Sequence, residues 1–222
     1  MDNVLAGKRQ PACIVAGAGP RLGLAIAERF AIEGFATYPL SRTPERLGPQ
    51  IAALRKGGLA ISPLSCDLAD ADEIDIALGY VRQRHGFCDV LVYNAFGDRA
   101  AEAFEFDAET LIDELRVNLG GALELVRKTL AGMRSAGGGA MLFTGCSATP
   151  SGLSSGIGQA CLRVLVDYLV PKLGESGVRA GIVTVSPSIV DDALYVQRAA
   201  QAYWDMFITS DRTYSHDVRV EC

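Results

Sequence analysis

Apolar positions along the chain keep switching between two rhythms. A short unbroken run, ACIVAG over 12–17, ends in glycine, and Leu22, Ile26 and Phe30 then return every four residues. A continuous apolar run closed by a turn signal reads as a buried strand, and a four-residue return as one face of a helix. The switch repeats as strand 35–41, helix 44–56, strand 59–65, helix 70–86, strand 89–94, a long helical pattern 108–135, strand 140–145, helix 155–174 and strand 179–186. The tail, 193–222, reads as a helix and a last strand near DVRVEC. Asp70 and Asp72 place carboxylates at a helix start, near the positive end of its dipole. Strands alternating with helices predict an α/β fold: a doubly wound, mainly parallel sheet with helices on both faces and ligands at the carboxyl ends of the strands.

Composition narrows the partners. The chain has 222 residues, 49% of them hydrophobic, and no break in composition, so one domain spanning 1–222 is expected. Lys plus Arg total 21 against 26 Asp plus Glu, with no basic run, which argues against nucleic acid and for small-molecule partners. The start, MDNVLAGKRQ, lacks an apolar signal core, and no apolar stretch approaches the roughly 20 residues that cross a bilayer. The expectation is a cytoplasmic protein with no membrane partner. Six cysteines lie scattered without a C-x-x-C pair or a neighbouring histidine, which predicts reduced thiols and no metal site.

Chemistry enters at the loops. The first turn, AGAGPRLG, offers Gly17, Gly19 and Gly23, and a glycine-rich turn between strand and helix lets backbone approach a pyrophosphate. CDLAD follows the third strand, VYNAF the fourth, and Asn118 sits in RVNLGG of the long helix. In this order the motifs resemble the short-chain dehydrogenase/reductase family over nearly the whole chain. The resemblance implies a Rossmann-type fold, a nicotinamide cofactor, and a homodimer or homotetramer built through the two long helices. It also implies cofactor contacts at Gly17, Gly19, Arg21, Leu22 and Gly23, at Ser41 and Arg42, at Asp67 and Leu68, at Asn94 and Ala95, and at Pro187 and Ile189.

Departures from the family pattern matter as much as matches. Its three motif glycines map to Gly17, Arg21 and Gly23, so the middle one is an arginine whose guanidinium can pair with phosphate. The Asn-Ala-Gly after the fourth strand becomes Asn94, Ala95, Phe96, a ring beside the expected ribose. Ser41 and Arg42 close the second strand where an NAD enzyme places an acid to hold the ribose 2′-hydroxyl, so NADP is expected over NAD, if a dinucleotide binds at all.

The family reduces carbonyls with a Tyr proton donor, a Lys four residues on, a Ser that positions substrate and an Asn that supports a water relay. Tyr168 and Lys172 match that Tyr-x-x-x-Lys spacing literally. Counting back from KLGESGVR, where Lys172 holds the place of the family's closing Glu, puts the Lys position on Gln159 and the Tyr position on Ser155. Tyr168 lies nine residues beyond Gln159, half a revolution around the helix and about 13 Å along it. It shares a stripe with Cys161, Val164 and Leu165, which reads as core or interface, and Pro171 is expected to kink or end the helix. Counting forward from Cys146, the Ser position, reaches Gln159 and Arg163 instead; a connecting loop shortened by four residues reconciles the two counts.

Neither count yields a tyrosine. The candidate catalytic set is therefore Asn118, Cys146, Ser147, Ser155 and Gln159, with Cys146 and Ser147 as possible oxyanion donors. A serine hydroxyl does not lend a proton as a tuned phenol does, and neither His85 nor His216 stands near Cys146 in the sequence to activate it. Three readings follow: an NADP-dependent oxidoreductase of a small carbonyl or alcohol with an atypical site, a non-catalytic nucleotide-binding or scaffolding protein, and a non-redox enzyme reusing the pocket. The substrate pocket is expected along 187–210, with Tyr195, Tyr203, Trp204 and Phe207.

Overall fold

The computed structural model describes residues 9–96, 107–147, 152–186, 192–209 and 213–220. Its elements are β1 (Ala12–Ala16), α1 (Leu22–Ile32), β2 (Ala36–Ser41), a 3₁₀ turn (Pro44–Leu47) running into α2 (Gly48–Lys56), β3 (Leu64–Ser65), α3 (Ala71–His85) and β4 (Val90–Tyr93). There follow α4 (Ala108–Leu115), a π turn (Arg116–Gly120), α5 (Gly121–Ser135), β5 (Gly139–Cys146), α6 (Leu153–Leu173), a 3₁₀ turn (Gly174–Ser176), β6 (Val178–Val185), α7 (Ala193–Ile208) and β7 (Asp217–Arg219). All strands pair in parallel, in the order β3-β2-β1-β4-β5-β6-β7. This is the doubly wound sheet that the alternating pattern predicts.

Strands buried on both sides explain the continuous apolar runs, since each face needs its own core. One core gathers Ile14, Leu91 and Phe143 with Ile74, Leu125 and Val166 of α3, α5 and α6. The opposite core gathers Val15, Val92 and Leu142 with Ile26, Phe30, Ile51 and Tyr203 of α1, α2 and α7. Strand order reverses between β1 and β4, and the carboxyl ends of the strands at such a switch point are where doubly wound sheets bind ligands.

Several expectations are corrected here. The third strand shrinks from 59–65 to Leu64–Ser65, with an isolated bridge at Ile61, because Pro63 between them has no N–H for the ladder. The long helix runs from Ala108 to Ser135 as expected, but with a change of pitch that the pattern did not show. It loosens into the π turn at Arg116–Gly120, where the buried Tyr93 hydroxyl donates to the Val117 carbonyl and takes up an acceptor the altered turn frees. Pro171 does not stop α6 at once, since the helix runs on to Leu173. It sits in the last turn, and the carbonyl it leaves without a donor belongs to exposed Asp167, where solvent can serve it. Trp204 and Phe207 pack edge-on and tilted against Phe30 and Phe35 rather than standing as free pocket walls. Tyr195 and Tyr203 are buried as well.

Candidate functional site

The turn after β1 is held by backbone. Gly17 has φ +77°, a conformation side chains disfavour, and a methyl group on it would lie 2.3 Å from Ala95 Cα. Gly17 N and Ala18 N both donate to the Leu40 carbonyl, at 3.1 and 2.9 Å. Gly23 presses α1 onto the turn, since a methyl there would stand 2.7 Å from Ala18 Cα. Gly19 faces open space, with nothing within 4 Å of a would-be Cβ. Arg21 occupies the N-cap position of α1 and gives no side-chain cap, while Leu22 is buried behind it. The result is an open glycine at a helix start with no side-chain cap, a cradle that fits a pyrophosphate.

The neighbouring strand ends complete that half. β2 pairs with β1 up to Leu40, so Ser41 and Arg42 emerge beside the turn. Arg42 is exposed, and Ser41 Oγ accepts from Thr43 N at 3.3 Å. Asp67 is half-buried, with its carboxylate on Ala69 N at 2.9 Å, and serves the turn before α3. Leu68 is buried against α5, its carbonyl 2.4 Å from where a Gly121 Cβ would be, so its side chain belongs to the core. Asn94 spends its amide internally: Nδ2 donates to the Gly17 carbonyl at 3.0 Å, and Oδ1 accepts from Thr144 Oγ1 at 2.9 Å. Ala95 lies buried under Gly17, and the Phe96 ring is 47% exposed beyond it. Pro187 and Ile189 lie outside the described residues.

The other half joins the π turn, the end of β5 and the start of α6. Asn118 is 2% exposed within the π turn and packs on Gly158, whose Cβ would fall 2.7 Å from Asn118 Cβ. Asn118 Nδ2 also reaches the Ser154 carbonyl at 3.5 Å, while Ser154 Oγ is buried with no hydrogen-bond partner among the described residues. Ser155 is fully buried. Its hydroxyl donates to the Gly152 carbonyl at 2.9 Å and accepts from Gly152 N at 3.3 Å, so it caps the first turn of α6. Gln159 Oε1 accepts from Cys146 N at 2.9 Å and ties α6 to the end of β5. Ser147 is exposed, with its N–H and hydroxyl both on the Val185 carbonyl at 2.9 and 3.3 Å.

Asn118, Cys146, Ser155 and Gln159 thus come together, and the literal pair does not join them. Tyr168 is 63% exposed on the outer face of α6, its ring 5.8 Å from Lys172 Nζ, which excludes the core alternative for it. Arg163 is engaged elsewhere, with Asp217 at 2.6 Å and Thr184 Oγ1 at 3.0 Å. The histidines stand apart. His85 is buried between the Tyr38 hydroxyl and the Gln10 carbonyl, and His216 faces Asp167 at 3.8 Å. Among the described residues the five cysteines form no disulfide. Burial pushes the Cys66 thiol up to about 12 and raises the phenols of Tyr93 and Tyr203, so these groups keep their protons at neutral pH.

Sequence reasoning did not single out Thr144, which accompanies Asn94 in the structure, and placed Tyr203 on a pocket wall rather than on Thr144. Thr144 lies one strand repeat before Cys146, which a motif search does not weigh, and Tyr203 sits on an apolar helix stripe that reads as core or pocket wall.

Comparison with known proteins agrees with this geometry. The family model for short chain dehydrogenases matches residues 11–157. Oxidoreductase asL5 of Sarocladium schorii is 27% identical over 82% of this chain and 74% of its own length. D-threitol dehydrogenase of Mycolicibacterium smegmatis is 29% identical over 80% and 69%. The 3-oxoacyl-(acyl-carrier-protein) reductase MabA of Mycobacterium bovis is 26% identical over 94% and 73%. Among solved structures, a metagenomic short-chain oxidoreductase in complex with NADP superposes with a TM-score of 0.83 at 21% identity, covering 96% of this chain and 97% of its own. A variant of actinorhodin polyketide ketoreductase with NADPH gives 0.81 at 19% identity, covering 95% of each chain. The motif order, the strand order and the family match over most of the sequence lead to one conclusion: this chain belongs to the short-chain dehydrogenase family.

Proposed function

We propose that the chain binds NADP(H) and acts as an oxidoreductase on a small carbonyl or alcohol, in the cytoplasm. The observation that carries the reading is the β1–α1 turn: Gly17 locked in a left-handed conformation over Ala95, and Gly19 open at a helix start without a side-chain cap. Backbone at that turn would hold the pyrophosphate, and Arg42 would meet the 2′-phosphate. NADP in the metagenomic relative and NADPH in the ketoreductase variant support this choice. A bound nicotinamide supplies the hydride. The chain's own part is to orient substrate near Cys146, Ser147 and Asn118, without a phenol at the Tyr position.

One observation favours a second reading, nucleotide binding without turnover. The Ser155 hydroxyl is committed to Gly152 and the Gln159 carbonyl oxygen to Cys146 N, so neither is set to pass a proton. Fluorescence titration with NADPH and NADH, followed by turnover on a carbonyl panel, separates the two. Tighter NADPH binding with turnover supports the reductase, binding alone supports the second, and absence of binding overturns both.

Assembly belongs to the same proposal. Ile112 and Leu123 on the long helix and Leu153, Val164 and Tyr168 on α6 are exposed, more apolar surface than two solvated helices need. A homodimer or homotetramer through these helices covers them. A monomeric mass by light scattering at micromolar concentration would contradict it. Among the described residues no helix is long and apolar enough to cross a membrane, and the net charge of −5 does not favour nucleic acid.

A further inference from the structure

Three hydrogen bonds run in series from α7 to the glycine turn. Tyr203 Oη lies 2.6 Å from Thr144 Oγ1, Thr144 Oγ1 lies 2.9 Å from Asn94 Oδ1, and Asn94 Nδ2 lies 3.0 Å from the Gly17 carbonyl. Chemistry fixes the direction of each. The Gly17 carbonyl accepts only, so Asn94 must turn its NH₂ toward it and its oxygen toward Thr144. That oxygen also accepts only, so the single Thr144 proton goes to Asn94, and Tyr203 must donate to Thr144. Burial raises the Tyr203 phenol, which keeps that proton in place.

The end of this series is the peptide plane between Gly17 and Ala18. Its carbonyl is held by Asn94 from one side and its N–H by the Leu40 carbonyl from the other, at 2.9 Å. A glycine at φ +77° has other conformations open to it, so the plane's orientation depends on these two partners. Asn94 in turn keeps its orientation only while Thr144 donates to it.

We propose that Tyr203 is a positioning residue for the pyrophosphate-binding turn, acting through Thr144 and Asn94 across the sheet. This rests on the dinucleotide reading above and adds a residue more than one hundred positions along the chain from the turn it orders. The consequence is selective. Losing the Tyr203 hydroxyl weakens ligands that use the turn and spares those that reach only the Arg42 side.

The test uses the full chain and the variants Tyr203→Phe, Thr144→Val and Thr144→Ser, titrated with NADPH and with adenosine 2′-monophosphate, which has no pyrophosphate. Tyr203→Phe and Thr144→Val are expected to weaken NADPH about fivefold to tenfold, the worth of one hydrogen bond. Thr144→Ser, which keeps the hydroxyl, stays near the parent, and adenosine 2′-monophosphate binds all four proteins alike. Unchanged NADPH binding, or equal loss of both ligands, overturns the inference. Hydrogen exchange of the segment 16–22 in the unliganded proteins provides an independent reading. Faster exchange in Tyr203→Phe and Thr144→Val, and not in Thr144→Ser, supports the inference even if the parent binds no dinucleotide and the proposed function falls; equal exchange in all four overturns it.

Discussion

The glycine-turn half of the candidate site, built from β1, β4 and the start of α1, is shaped by glycines and backbone hydrogen bonds, whereas the other half, built from the π turn, the end of β5 and the start of α6, is shaped by side chains. Backbone recognition needs a few glycines and a fixed turn, and tolerates replacement elsewhere: Arg21 takes the middle glycine's place and the turn still closes, with Gly17 over Ala95 and Gly23 on Ala18. Side-chain chemistry has no such tolerance. Ser155 caps a helix and Gln159 ties down Cys146 N, so both side chains are spent on structure. One half depends on backbone geometry and the other on side-chain identity.

The strongest way to break this comparison is to restore the missing side chains. Ser155→Tyr with Gln159→Lys is expected to raise carbonyl reduction about 10²- to 10⁴-fold, the usual worth of a general acid, measured as NADPH consumption with a reactive carbonyl. Ser155 is fully buried, so the ring must displace the start of α6, and circular dichroism of the variant belongs beside the assay. Ser155→Ala removes the hydroxyl without adding volume and should leave turnover within a few-fold. A folded double variant with no gain would show that the Tyr position is not Ser155.

The next test addresses the half held by geometry. Gly17→Ala forces a methyl against the Ala95 backbone at a positive φ and is expected to cost about 3 kcal/mol or more in urea unfolding, combining backbone strain with overpacking. Gly19→Ala is the informative contrast. Its methyl meets nothing within 4 Å, so stability should hold while NADPH binding falls, because the space it fills is the proposed approach of phosphate. Loss of stability with unchanged binding in Gly19→Ala would remove Gly19 from the site.

A smaller effect separates the two nicotinamide forms. Arg42→Ala should weaken NADPH about tenfold and leave NADH nearly unchanged, since a charge-assisted contact to one phosphate is worth about 1.5–3 kcal/mol at most and Arg42 is exposed. Equal affinities in the parent would sink the assignment.

What the sequence made legible follows the same division. Element order, the parallel sheet and the glycine turn are local signals, written in runs and periods of a few residues, and they match the structure from β1 to β7. The π turn was not legible because its cause is distant: Tyr93 on β4 donates to Val117, and Gly121 fits against Leu68. Pro63 cut the third strand by removing one donor, which an apolar count does not register. Trp204 and Phe207 looked like pocket walls because a helix stripe does not say which partner it faces, and here the partner is Phe30 and Phe35. Long-range pairing decided the π turn and the aromatic cluster, and a single local donor decided the third strand.

The smallest expected effect concerns the stretch that looks most like an active site. Tyr168 and Lys172 have the right identities and spacing, but Tyr168 lies on the outer face of α6 beside the exposed Val164, and Lys172 Nζ sits 5.8 Å from its ring in a cation–π contact. A phenol there meets solvent or a second copy of the chain. Tyr168→Phe keeps the ring and its apolar contacts, so cofactor binding and turnover should stay within a few-fold of the parent. Tyr168→Asp puts a charge in the same place and is expected to shift the assembly toward monomer by light scattering, again with little effect on NADPH affinity. A folded Tyr168→Phe that has lost turnover, with normal NADPH binding, would return the proton donor to Tyr168 and overturn the contrast between the two halves.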